Sequence, residues 1–299
     1  MSVKKIICHA LPGLAGIGTI LTMTSRSSPR SLEAFSGFEA EFYPPVGTPK
    51  NVTVLVLGGS DGGFPSRRAK LIADNGFPGL ALAYFKTPNT PEYLDMIPLE
   101  YFDGPIEWLK NNAYTPGGKI VVIGESKGAE LALLLASRKP EISGVVAFVP
   151  GAYVFQGIPK DYKSPRSSWS YKGAQLPFVP YDFSNLPDPN NILSIYTNSL
   201  KQAEALKKAV IPVNNIKGPI LLFSAKDDQM WPSFELSETI MSSLKEQAFG
   251  YSSDHITYEN AGHTMTEYYL MGGTAEGNQK ARIDSTNRML FFLNNLSTE

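Results

Sequence analysis

The sequence predicts an α/β fold with a mostly parallel central sheet covered by helices on both faces. Short apolar runs rich in Val, Ile and Leu alternate along the chain with segments of helical character, the pattern of strands buried on both sides. One run, Lys119-Ile120-Val121-Val122-Ile123, passes through Gly124-Glu125-Ser126-Lys127-Gly128 straight into the helix formers Ala129 to Ala136, a sharp strand-to-helix turn. The length, 299 residues with 42% hydrophobic, is enough for one large α/β core.

Residues 1–30 precede this pattern. Lys4 and Lys5 stand before a mostly apolar stretch from Ile6 to Met23, and a Ser/Thr/Arg patch runs from Thr24 to Ser31. That layout is expected of a secretory signal or membrane anchor, although His9 and Pro12 interrupt its apolar part and no clean cleavage site follows. The protein is then exported or anchored there, with no other integral membrane segment; a leader on a cytoplasmic protein is the alternative. A single domain is expected over 31–299.

Between Phe35 and Pro45, Phe38, Ala40 and Phe42 alternate with Glu39, Glu41 and Tyr43, as in an edge strand with one buried face. Asn51 to Leu57 is a central strand that runs into Gly58-Gly59-Ser60-Asp61-Gly62-Gly63. This loop fits neither the G-x-G-x-x-G dinucleotide spacing nor the Gly-Lys-Ser/Thr of a P-loop. Backbone N–H groups at Ser60 or Asp61 are better suited to a developing oxyanion. A helix over Ser66 to Asn75 closes on Asn75-Gly76, and Leu80 to Ala83 is the next strand. Leu99 to Asn111 reads as a core helix kinked at Gly104-Pro105. After the elbow and its helix comes the strand Gly144 to Phe148.

Residues 157–191 have no helical period, whereas Asn191 to Val213 is amphipathic and helical. The insertion from about 151 to 215 is expected to cap a site at the edge of the sheet. Pro219 to Ser224 is a buried strand, a helix follows over Ser233 to Ala248, and His255 to Tyr258 is the last strand. A C-terminal helix from Asp284 to Leu296 is expected to bury Ile283, Met289, Leu290, Phe292 and Leu293.

Composition narrows the chemistry. A net charge of −1 and 18% charged residues leave no basic stripe for nucleic acid and no acidic tail. The single cysteine, Cys8, lies in the leader, so neither a disulfide nor a cysteine metal site is expected. Of three histidines, His9 is also in the leader, leaving His255 and His263 as possible general bases.

Gly124 to Gly128 is a G-x-S-x-G nucleophile elbow, with Ser126 as the nucleophile. An α/β-hydrolase triad follows the chain order Ser, acid, His, with acid and base in loops after late strands. Asp227-Asp228 follows one such strand and His263 the last, which points to the α/β-hydrolase fold. Asp228 is preferred because Pro232 stands four residues later, a placement many α/β-hydrolases show; Asp227 is expected to hydrogen-bond the turn. His263 lies in a glycine-flanked loop, and His255 is expected to be an ordinary surface residue. The implied chemistry is acyl transfer on a small-molecule ester or thioester, with Lys127 N–H as one oxyanion donor and no metal or organic cofactor.

Gly-Glu-Ser-Lys-Gly-Ala-Glu-Leu-Ala-Leu at 124–133, Ser168-Trp169-Ser170-Tyr171-Lys172-Gly173, Ile211-Pro212-Val213 and Lys226-Asp227-Asp228-Gln229-Met230-Trp231-Pro232-Ser233 resemble the catalytic domain of acyl-coenzyme A thioesterases. The same domain forms the C-terminal part of bile-acid-coenzyme A:amino-acid N-acyltransferase. The resemblance covers about residues 50 to 296 and implies nucleophile, acid and base at Ser126, Asp228 and His263. Larger members carry a β-sandwich domain in front, for which the roughly 50 preceding residues are too few. The family's transferases carry cysteine as nucleophile, so serine at 126 implies hydrolysis of acyl-coenzyme A. The alternatives are a carboxylesterase, a dienelactone-type hydrolase or a peptidase, then an N-acyltransferase or a non-catalytic binding module. Lys160, Lys163, Arg166 and Lys172 in the insertion are the expected cations for coenzyme A phosphates.

Overall fold

The computed structural model describes residues 37–298 except 163, 185, 187, 189 and 190. The leader and the expectation of export or anchoring therefore lie outside the described residues. Among those described, no helix is long and apolar enough to cross a membrane.

Five strands and three helices lead up to and through the elbow: β1 (Glu39–Tyr43), β2 (Val52–Leu57), α1 (Ser66–Asp74), β3 (Gly79–Ala83), β4 (Ile97–Pro98), α2 (Asp103–Lys110), β5 (Lys119–Glu125) and α3 (Lys127–Ala136). The remainder is β6 (Ile142–Phe148), β7 (Trp169–Tyr171), β8 (Ala174–Gln175), α4 (Ile192–Ser199), α5 (Ala203–Ala209), β9 (Ile220–Ala225), α6 (Ser233–Glu246), β10 (Ser253–Tyr258) and α7 (Ala275–Thr298). Seven strands form the main sheet in the order β1-β3-β2-β5-β6-β9-β10. Every pairing in it is parallel except that of β1 with β3.

Strand alternation divides the core in two. Leu55 and Leu57 of β2 face the layer of α2, α3 and α6, while Val54 and Val56 face α1 and α7. All six residues of β2 are buried because helices cover both faces. The parallel register aligns Leu57 with Gly124 and Glu125 with Phe148, so the ends of β2, β5 and β6 open onto one edge. Loops at that edge carry the site.

Several elements differ from the sequence expectation. Tyr43 is buried at 4% exposure, packed on the α1 side, where its hydroxyl donates to the Glu41 carboxylate at 2.8 Å. No kinked helix spans 99–111: a 3-10 turn over Leu99–Phe102 precedes α2, and Pro105 sits in the first turn, where its missing N–H costs no bond. Residues 157–191 contain the β7–β8 hairpin, turned by Lys172 and Gly173 at φ 50° and 76°, and β7 pairs with β4 as a separate small sheet. The amphipathic stretch after Asn191 is two helices, α4 and α5. α7 begins nine residues before Asp284 and turns Ala281, Ser285, Met289, Leu293 and Leu296 inward, leaving Ile283 half exposed.

Candidate active site

Ser126 sits between β5 and α3 with φ 56° and ψ −121°, a conformation that side chains resist. The glycines allow it. A Cβ on Gly124 would run into the Gly128 carbonyl, and one on Gly128 into the Gly58 carbonyl at the end of β2. The Ser126 N–H donates to Phe148 O at 3.0 Å, which ties the turn to β6.

His263, in the loop after β10, donates its backbone N–H to Met271 O at 2.9 Å. Its Nε2 lies 2.8 Å from Ser126 Oγ. Its Nδ1 lies 2.9 and 3.0 Å from the two Asp228 carboxylate oxygens. A carboxylate at Nδ1 requires the proton there, leaving the Nε2 lone pair for the serine hydroxyl. Asp228 Oδ1 also accepts from the N–H groups of Met230 (2.9 Å) and Trp231 (3.2 Å), so its orientation is fixed by the turn. Ser126, Asp228 and His263 are 7%, 4% and 5% exposed, a setting in which their hydrogen bonds are little screened. Asp227 is occupied elsewhere, accepting from Gly273 N–H at 2.8 Å and Gln229 Nε2 at 2.9 Å.

Trp231, to which the sequence alone assigns no role beyond its place in a motif, packs against the His263 ring edge-on with centroids 5.8 Å apart. Its Nε1–H donates to Val149 O at 3.1 Å. Val149 is itself held at φ 43°, strained for a β-branched residue, with its N–H donating to Phe223 O at 2.7 Å.

The Lys127 N–H opens α3 and has no intrahelical acceptor. The glycine loop faces it from β2. Gly59 approaches closest: a Cβ there would lie 3.2 Å from Ser126 Cβ. Ser60, half buried, and the exposed Asp61 follow in the same turn. The Tyr84 hydroxyl donates to Gly58 O at 2.5 Å and anchors the loop from below.

The Lys127 side chain turns inward and is sealed from solvent. Its Nζ meets Glu130 Oε2 at 2.7 Å, and Glu130 Oε1 accepts from Trp169 Nε1–H at 2.7 Å and Phe155 N–H at 3.3 Å. Burial pulls the Lys127 ammonium below the usual lysine range and pushes the Glu130 carboxyl above its own, while their mutual attraction opposes both. A glutamate inside the otherwise apolar run of α3 was the available sequence signal.

Two of the insertion cations, Arg166 and Lys172, make their contacts away from the triad. Lys172 lies over the Tyr171 ring, which faces Arg138 beyond the far end of α3 from Ser126. Arg166 pairs with Asp95, Lys160 is exposed to solvent, and Lys163 lies outside the described residues. A cavity of about 370 Å³ does adjoin the site, with His263, Glu125, Phe148 and Met265 in its wall and Arg67, Arg68 and Arg282 around it. His255 is not an ordinary surface residue. Its side chain is 7% exposed, with Nε2 2.7 Å from Ser224 Oγ and Nδ1 2.8 Å from Glu238 Oε1.

Known proteins resemble this chain in sequence and in fold. The model of the family described as BAAT / Acyl-CoA thioester hydrolase C terminal matches residues 97–270. The chain is 27% identical over 277 residues to the peroxisomal succinyl-coenzyme A thioesterase of Mus musculus, covering 85% of this chain and 62% of that protein. It is 29% identical over 277 residues to acyl-coenzyme A thioesterase 5 of Mus musculus, covering 86% and 63%. The chain thus spans about three fifths of the length of these relatives. Among solved structures, a puromycin-hydrolyzing peptidase of Mycobacterium tuberculosis superposes with a TM-score of 0.61 at 13% identity, covering 94% of this chain and 41% of that one. An esterase of Pyrococcus furiosus superposes with a TM-score of 0.55 at 17% identity, covering 96% and 97%. Because the model of that family matches more than half of its residues, the chain belongs to the BAAT / acyl-CoA thioester hydrolase C-terminal family, built on the α/β-hydrolase fold.

Proposed function

We propose that the chain is a serine hydrolase that cleaves acyl-coenzyme A thioesters through an acyl-serine intermediate. The observation that carries this reading is the 2.8 Å approach of His263 Nε2 to Ser126 Oγ, with Asp228 on the other ring nitrogen, in a chain of this family. The thioesterase names of the curated relatives supply the substrate class.

Ser126 Oγ bonds to the thioester carbonyl carbon as its proton passes to His263 Nε2. The carbonyl π electrons move onto oxygen, where Lys127 N–H and the N–H of Ser60 or Asp61 receive the charge, a donor being worth roughly 3 kcal/mol. Asp228 keeps the imidazole in the required tautomer and balances the imidazolium. Collapse breaks the C–S bond, and the departing thiolate takes the proton from Nε2. Water then bonds to the acyl carbon while giving a proton to His263, the C–Oγ bond breaks, and Ser126 recovers its proton.

The test is a hydrolysis panel of acyl-coenzyme A chains beside matched oxygen esters, run with the wild type and Ser126→Ala. Turnover of thioesters that disappears in Ser126→Ala is expected. Unchanged turnover in the variant, or hydrolysis confined to oxygen esters, overturns the proposal. Coenzyme A thioesters are intracellular, so fractionation of the mature protein decides between this substrate and an extracellular ester.

A further inference from the structure

We propose that the cavity beside His263 is the leaving-group subsite and receives the phosphate-bearing arm of coenzyme A, with Arg67 as the cation that meets the phosphates. The inference rests on the thioesterase reading above and adds where the leaving half of the substrate lies.

Direction comes first. A departing thiolate must leave within reach of the imidazole that protonates it. The cavity has His263 itself, and Thr264 and Met265 after it, as one wall. Its volume of about 370 Å³ falls within the range of small-molecule pockets. Phe64, Pro65 and Leu71, each half-buried in the cavity wall, supply apolar surface for a pantetheine-like arm.

Charge comes second. Three guanidinium groups surround this one cavity in a chain whose net charge is −1. Two of them are already engaged. Arg68 donates to Glu125 Oε2 at 2.9 Å and lies 4.0 Å over the Phe148 ring. Arg282 is held by both carboxylate oxygens of Glu267, at 2.7 and 3.0 Å. Those pairs fix two guanidinium planes and cancel two charges. Arg67, on the first turn of α1, is exposed and makes no ion pair among the described residues. The rim therefore keeps one uncompensated guanidinium, whose planar fork suits phosphate oxygens.

Two of the insertion cations fit the same task less well. Lys172 is at the far end of α3, and Arg166 is committed to Asp95.

The experiment compares an acyl-coenzyme A with the pantetheine thioester of the same acid, which has the same scissile bond and no nucleotide phosphates. In Arg67→Glu the ratio of the two KM values, coenzyme A over pantetheine, is expected to rise about fivefold, and in the wild type the coenzyme A KM alone to rise with salt. Binding of free coenzyme A to Ser126→Ala, measured by calorimetry, weakens in the Ser126→Ala/Arg67→Glu double variant to match. An unchanged ratio overturns the subsite, as does a larger rise from Lys172→Glu than from Arg67→Glu. A wild type that hydrolyses no acyl-coenzyme A fails the underlying functional reading instead, and the two failures are distinct.

Discussion

Lys127 Nζ lies 2.7 Å from Glu130 Oε2, one helical turn beneath the nucleophile, with both side chains sealed from solvent. Through Trp169 Nε1 and Phe155 N–H the same carboxylate holds two segments of the insertion against the elbow helix. Removing one partner of such a pair leaves the other charge buried without compensation. Glu130→Gln is expected to lower stability by about 3–5 kcal/mol in urea unfolding. Adding Lys127→Met should return most of that loss, since the glutamine carbonyl still accepts from Trp169. A double variant no more stable than Glu130→Gln would count against the charge pair as the cause.

The two aspartates after β9 separate by function. In Asp228→Asn the amide oxygen can still accept from Met230 and Trp231, so the turn survives, but the amide NH₂ facing Nδ1 favours the wrong histidine tautomer. kcat is expected to fall by about 10⁴ with little change in thermal stability. Asp227→Asn instead touches the turn bonds to Gly273 and Gln229 and should leave kcat within a few-fold. Steady-state kinetics of both variants decide the assignment, and equal losses would remove Asp228 from its special role.

The elbow and its partners were legible because their causes are local. Two glycines around Ser126, a strand before and a helix after can be read from neighbouring residues, and the order of acid and base follows the order of strands. The start of α7 is not legible in the sequence because its first turns carry no apolar stripe. Buried Asn278 is held there by hydrogen bonds, donating to Gly272 O at 3.0 Å and accepting from Gly262 N–H at 2.9 Å. The place of Lys172 depends on a long-range pairing: β7 joins β4 and carries Lys172 past the end of α3 away from Ser126, and nothing local in the sequence encodes that pairing. His255 looked exposed because the contacts that bury it come from β9 and α6.

Close approach at the glycine loop gives a graded prediction. A Cβ on Gly128 would strike backbone carbonyls of Leu57 and Gly58, which cannot move without displacing β2, so Gly128→Ala should not accumulate as folded protein. A Cβ on Gly59 would sit 3.2 Å from Glu125 O and from Ser126 Cβ, a misfit of a few tenths of an ångström. Gly59→Ala is therefore expected to fold, with kcat reduced about tenfold by the shifted oxyanion donors. Full activity in Gly59→Ala would place the oxyanion away from this loop.

Burial draws the His255 pKa below its ordinary 6.5, against the Glu238 carboxylate, which raises it. In the folded protein the imidazole is neutral through a range where the unfolded chain is already protonated. Above about pH 6.5 both states are neutral and the stability linked to this residue is fully present. As pH falls below that value the unfolded state takes up the extra proton first, and stability is lost until the depressed folded pKa is passed. Carboxylates that do not touch His255 contribute alike in the wild type and in His255→Gln, so the difference between the two reports the imidazole together with its Glu238 partner. His255→Gln also gives up bonds to Ser224 and Glu238, which lowers its stability at every pH. The urea midpoint should therefore drop between about pH 7.5 and pH 5 by less in His255→Gln than in the wild type. Equal drops would mean that His255 titrates alike in the folded and unfolded chains, against the direction its burial demands.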